Sequence, residues 1–257
     1  LKIEINLFSV IIVYTFSRFL TFIIATLYLK KTYNPIFIKG AIDKSMIKMA
    51  RPLLFVSATT LLSSSIDIIM LGWLSNSSSV GLYTVATRLV LFIAFFLQIT
   101  NSAISPKIAA LFANNQLKEI NIMVKQVTLW LIIIGALSTL FFLLLGKPIL
   151  SFWGDEFTQA YYCLIILCFG QFINISTGCS GVLLIMSGNE KVFSYISGIS
   201  LLLNFVFNFV LITKYGIVGA AIATSITIAG ENIVRVIIAK KKTGILTTPL
   251  GLKKLKN

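Results

Sequence analysis

Residues 126–146 read QVTLWLIIIGALSTLFFLLLG, twenty-one positions without a charged side chain. At about 1.5 Å per residue a helix of this length matches the ~30 Å hydrocarbon layer of a bilayer. A barrel strand does not fit, because a lipid-facing strand alternates apolar and polar residues over about ten positions. Here Leu131–Ile134 and Phe141–Leu145 are apolar on both parities. Without water to satisfy backbone groups, only a helix remains. Six more apolar stretches, each with at most two charged residues, follow the same logic, 7–29, 53–74, 80–104, 160–187, 193–213 and 216–239, each 21 to 28 residues long. The 257-residue chain is 57% hydrophobic and 12% charged with mean hydropathy +0.95, whereas soluble domains run at about 45–50% and about 25%. The sequence predicts an all-α, polytopic transmembrane bundle of seven helices. Soluble enzymes, disordered tails and secreted disulfide scaffolds are excluded.

The net charge of +14 is a matter of topology. Of 22 basic residues, 16 fall in one set of alternate loops: Lys30, Lys31, Lys39, Lys44, Lys48 and Arg51; Lys107, Lys118 and Lys125; Lys191; and six lysines from Lys240 to Lys256. The opposite loops hold three, Lys2, Lys147 and Lys214, and the spans hold Arg18, Arg88 and Arg235. The positive-inside rule then puts the C-terminus in the cytoplasm, and the expected location is the plasma (inner) membrane. The lysines face anionic membrane lipids, and no nucleic-acid partner is expected. The chain opens on Leu1 and has no methionine before Met46, so the reading expects the C-terminal part of a longer protein. Cys163, Cys168 and Cys179 share one span and no histidine occurs. No metal site is expected, and the thiols read as packing residues.

The most polar linker, 30–51, has apolar residues near helical spacing and reads as an amphipathic helix on the cytoplasmic face. It divides an isolated helix, 1–29, from a six-helix lobe, 52–240, followed by a basic tail, 241–257. Segment 107–125 reads as a second interfacial element, with Pro106 ending or kinking the span before it. The remaining connections, at 75–79, 147–159, 188–192 and 214–215, are short, so successive helices are antiparallel neighbours.

Charge inside a span is costly and marks function or a buried pair. Arg18 lies near the middle of its span without an acidic partner. Asp67 and Arg88 flank the 75–79 loop almost symmetrically, which predicts an ion pair in the outer half. Glu231 and Arg235 share one helix face in the inner half. Uncharged polar residues continue these faces: Ser57, Thr60 and Ser64 toward Asp67; Thr224 and Thr227 toward Glu231; Ser197, Ser200, Asn204 and Asn208; and Gln171 with Asn174. Each stripe alone is compatible with ordinary helix packing. Together they point to a wet central cavity. No catalytic base, acidic pair or Gly-rich phosphate loop stands beside them, so no enzyme is expected.

Two hairpins carry a resemblance. Residues 67–74 DIIMLGWL, a polar loop and 80–89 VGLYTVATRL form the first; 204–208 NFVFN followed by 214–224 KYGIVGAAIAT forms the second. With Pro106 and 188–191 GNEK, they resemble the polysaccharide-flippase (Wzx-type) branch of the multidrug/oligosaccharidyl-lipid/polysaccharide exporters. The resemblance implies two six-helix lobes around a cavity of alternating access, with 7–29 the last helix of the first lobe. It implies an undecaprenyl-pyrophosphate-linked oligosaccharide as cargo, and a polymerase and glycosyltransferases as pathway partners. Arginine binds phosphate oxygens in a fork, which assigns Arg18, Arg88 and Arg235 to pyrophosphate or sugar acids. Asn174, Asn204 and Asn208 suit sugar hydroxyls. Asp67 and Glu231 suit coupling to a proton or sodium ion, with no other cofactor. A multidrug exporter of the same superfamily and a membrane glycan polymerase are the alternatives.

Overall fold

The computed structural model describes residues 7–33 and 44–249, and every regular element in them is helical. The chain forms two compact units, Leu1–Met46 and Ile47–Asn257. The first contains α1 (Leu7–Tyr33), whose side chains at 11–31 are exposed, a surface suited to hydrocarbon. Lys30 and Lys31 end it, where cations meet the negative end of the helix dipole. Of the linker 30–51, expected as an amphipathic helix, residues 30–33 end α1 and 44–51 begin the next helix, while 34–43 lie outside the described residues, as do 250–257 of the basic tail.

The second unit runs through α2 (Lys44–Leu74), α3 (Ser77–Ala113), α4 (Leu117–Ser151), a 3-10 turn (Asp155–Ala160), α5 (Tyr161–Ser176), α6 (Ser180–Met186) and α7 (Glu190–Thr243). Among the described residues six helical stretches are long and apolar enough to cross a membrane. The last, α7, has 54 residues and would be about 80 Å long if straight, far more than a bilayer requires. It is broken at Gly216, whose φ of 56° and ψ of −131° are not helical. Ser197 and Ser200 bond Glu231, and Arg235 bonds Ser197, so the chain folds back about that glycine into two antiparallel arms. Gly219 allows the close approach, since a Cβ there would stand 2.0 Å from the Leu211 carbonyl oxygen. The two arms are the expected spans 193–213 and 216–239.

Elsewhere the helices depart from the expected bounds. The first hairpin turns at Ser75–Asn76 instead of over 75–79, because Asn76 caps α3 by accepting a bond from the Ser79 amide at 2.8 Å. No separate interfacial element forms at 107–125. Instead α3 continues through Pro106 to Ala113, and the chain reverses at Asn114–Gln116 with Asn115 in the left-handed region. The reason is packing: Ile108 and Leu111 of α3 bury against Ile120 and Val124 of α4, forming a second apolar cluster with Leu183 and Leu184. The loop at 147–159 shrinks as well, with α4 running to Ser151 and a 3-10 turn leading into α5.

The expected continuous span 160–187 is broken at Thr177–Cys179. Gly178 has φ +65°, and a Cβ there would meet the Thr128 hydroxyl oxygen at 2.0 Å. Both features require glycine. The break frees a carbonyl, and the chain after α7 supplies the donor. Gly244 turns the backbone, Ile245 buries in the second cluster, and the Thr247 hydroxyl donates to the Thr177 carbonyl at 2.8 Å. Residues 241–249, part of the expected basic tail, are therefore partly built into the unit. All three cysteines are buried thiols, in keeping with packing roles.

The main core lies between α3, α4, α5 and α7, with Tyr83, Ile93, Leu164 and Cys168 fully enclosed. Large apolar residues such as Trp130, Leu144 and Leu202 are exposed, while Asp67, Asn204, Asn208, Ser197 and Ser200 are buried. Polar groups are inside and hydrocarbon is outside, the arrangement a lipid solvent requires.

Candidate functional site

Asp67 is the only carboxylate among the described residues classed as buried, at 6% exposure. Its Oδ1 accepts from Asn208 Nδ2 at 2.6 Å, and its Oδ2 accepts from Thr224 Oγ1 at 2.7 Å and Tyr83 Oη at 2.9 Å. Asn208 Nδ2 also donates to Asn204 Oδ1 at 3.1 Å. Thus α2, α3 and both arms of α7 meet at one carboxylate. The donors are all neutral. Arg88, the expected partner, is exposed and makes no ion pair with Asp67 among the described residues. The hairpin explains this. Because it turns at Ser75–Asn76, the α3 residues level with Asp67 are near 83 and 84, and Arg88 lies more than one helical turn away. Tyr83 occupies the position assigned to Arg88, and was missed because it reads as an aromatic core residue.

The second cluster lies along the same hairpin. Arg235 pairs with Glu231 through Nη2, which also donates to Ser197 Oγ at 2.9 Å. Ser197 Oγ and Ser200 Oγ donate to the two carboxylate oxygens of Glu231 at 3.1 and 2.9 Å. The guanidinium carbon sits 4.2 Å from the centre of the Phe193 ring, a cation–π contact. The expected ion pair is present. Ser197, Ser200, Asn204 and Asn208 face Thr224, Thr227, Glu231 and Arg235 across the arms, so two polar stripes form one buried seam from Asp67 to Arg235. Thr227 bonds the Ala223 carbonyl of its own helix instead of the facing arm.

Two further expected site residues have local partners. Asn174 donates to Gln171 Oε1 at 2.8 Å and does not join the seam. In the first unit, Arg18 donates through Nε and Nη2 to Tyr14 Oη at 3.2 and 3.0 Å, and its guanidinium lies 5.1 Å from that ring.

A carboxylate enclosed in a bilayer without a cation is under pressure to take one up. The polar atoms around Asp67 fit a proton or a small monovalent cation. Asn208 Oδ1 is buried without a hydrogen-bond partner, leaving an acceptor beside the carboxylate. Among the described residues no three His, Cys, Asp or Glu side chains gather as a metal site.

An apolar exterior and a buried polar seam define a multi-pass helical membrane protein. The chain belongs to the MatE family, whose sequence profile matches residues 52–210. It is 29% identical over 207 residues to the capsular polysaccharide biosynthesis protein CapF of Staphylococcus aureus, covering 78% of this chain and 52% of CapF. It is 28% identical over 206 residues to the probable low-salt glycan biosynthesis flippase Agl15 of Haloferax volcanii, covering 76% of this chain and 43% of Agl15. The chain spans about half the length of the curated relatives it matches.

Proposed function

We propose that the protein is a transporter, not an enzyme, which flips a lipid-linked oligosaccharide across the plasma membrane by alternating access for polysaccharide biosynthesis. The observation carrying this reading is the buried seam that joins Asp67, a carboxylate without a cationic partner among the described residues, to the Glu231–Arg235 pair. A dry structural bundle has no use for so many enclosed polar groups. The names of the two relatives, one in capsule biosynthesis and one a glycan flippase, favour a glycan cargo. On this reading Asp67 is the coupling site for a proton or sodium ion, with Asn208 and Asn204 serving it. Arg235 is held by Glu231 and Phe193, which leaves Arg88 and Arg18 as the pyrophosphate contacts and Asn174 as a sugar contact. The lysine-rich end, including the C-terminus, faces the cytoplasm, where glycosyltransferases assemble the cargo; a polymerase acts after export.

The test is leaflet assignment of the lipid-linked oligosaccharide in cells lacking the gene. Cargo should accumulate on the cytoplasmic side, return outward with the wild-type protein, and stay inside with Asp67→Asn at equal abundance. Normal outward transfer in the deleted strain, with no compensating exporter, defeats the proposal.

A further inference from the structure

The two arms of α7 part along one flank of the polar seam and leave a groove of about 490 Å3. Its walls repeat at helical spacing, with Ile199, Leu203 and Phe207 on the first arm and Gly230, Val234 and Ile238 on the second. From Val192 to Phe207 the first arm rises about 22 Å. Half of a ~30 Å hydrocarbon layer is about 15 Å, so a chain filling the groove passes the midplane. An acyl chain confined to its own leaflet does not reach that far.

The charges are placed at one end. Lys191 adjoins Val192, and Lys240, Lys241 and Lys242 follow Ile238 within one turn; all four lysines are exposed. Glu190 is the acid beside them, so the balance is cationic. Glu231 and Ser200 reach the groove, but each is bonded to the other, and Arg235 neutralises the carboxylate. The walls suit hydrocarbon along their length, and the mouth suits an anion.

We propose that this groove seats the polyisoprenoid chain of a phosphate-headed carrier lipid, with the phosphate at Lys240–Lys242. This rests on the flippase reading and adds where the lipid portion of the cargo travels. Gly230 provides a clean test, because a Cβ there meets no atom within 4 Å. Gly230→Trp therefore adds bulk at a wall position whose Cβ stands in open space. Leu202→Trp, at an exposed position outside the groove, is the control.

The intact protein in phosphatidylcholine nanodiscs is photolabelled with a diazirine-bearing polyprenyl monophosphate, and adducts are mapped by mass spectrometry. Wild-type adducts should fall on both arms of α7. Gly230→Trp should lower labelling at least about tenfold, the affinity lost with about two buried methylene groups. Replacing Lys240, Lys241 and Lys242 by glutamine should lower it at least about fivefold, the worth of one lysine near an anionic head. Leu202→Trp should label as wild type. Adducts confined to other helices overturn the proposal whatever the variants do. So does equal competition by phosphatidylglycerol, which makes the groove a general anionic-lipid site. The flippase reading is judged separately by leaflet assignment: active flipping with labelling elsewhere rejects the groove alone, whereas groove labelling in a protein that flips nothing rejects the flippase reading alone.

Discussion

At Asp67, three neutral donors from α3 and the two arms of α7 hold a carboxylate for which the described residues provide no cation. Hydrogen bonds to a charged group contribute about 1.5–3 kcal/mol, so Tyr83→Phe and Asn208→Leu should each lower stability by roughly that amount. The pattern also fixes which pairs interact. Asp67→Asn combined with Asn208→Leu should be non-additive by more than about 0.5 kcal/mol, whereas Asp67→Asn with Arg88→Gln should add within about 0.5 kcal/mol. Thermal unfolding in detergent measures both cycles, and strong coupling to Arg88 would contradict the geometry. At the other end of the seam, Arg235→Met leaves the half-buried Glu231 without its partner and should cost about 3 kcal/mol, with much of it recovered by Glu231→Gln in the same chain. The Glu231–Arg235 pair was legible in the sequence because i,i+4 spacing needs only a helix. The surroundings of Asp67 were legible only in part. The polar stripes were visible, but choosing Tyr83 over Arg88 depends on where a turn closes, and the Asn76 cap shifts that by about two residues.

The helices themselves were legible wherever hydropathy alone decides, since apolar length dictates a crossing whatever the neighbours do. Backbone breaks are a different matter. Gly216 adjoins the short connection read at 214–215, but Gly178 lies inside a span read as continuous, 160–187, and hydropathy carries no information on φ. Its conformation and its contact with Thr128 separate by substitution. Gly178→Ala adds left-handed strain of about 1–2 kcal/mol and an overpacking cost of about 1–3 kcal/mol. A further Thr128→Ala should relieve the second contribution and leave the first. Full rescue by Thr128→Ala would show that α5 and α6 can join without a left-handed residue. The Thr247 bond to the freed Thr177 carbonyl is the counterpart of the break. Thr247→Val should therefore cost about 1 kcal/mol, read as a lower unfolding temperature, and should cost less in a chain already carrying Gly178→Ala if that substitution closes the break.

Over the second unit, the alternation of helices sorts the charges by end. The α3–α4 turn, the 187–189 turn and the end of α7 lie on one side; the α2–α3 turn, the 3-10 segment and the Gly216 bend lie on the other. The first side carries Lys107, Lys118, Lys125, Lys191 and Lys240–Lys242 against Glu119 and Glu190; the second carries Lys147 and Lys214 against Asp155 and Glu156. Basic residues within reach of a span resist translocation, and acids contribute little, which supports the proposed orientation with the lysine-rich end in the cytoplasm. Because α3 and α4 extend beyond what a bilayer needs, Asn115 at their junction should project into that compartment. The native thiols are buried, so single cysteines can be introduced without first removing them. Cysteines at Ser77 and Trp153 should react with a membrane-impermeant maleimide on intact cells, while cysteines at Asn115 and Lys253 should react only after permeabilisation. The reverse pattern would turn the molecule over. It would also set the lysine mouth of the α7 groove against the outer leaflet, where a carrier lipid leaves the transporter, so the groove could no longer be where cargo assembled in the cytoplasm first engages.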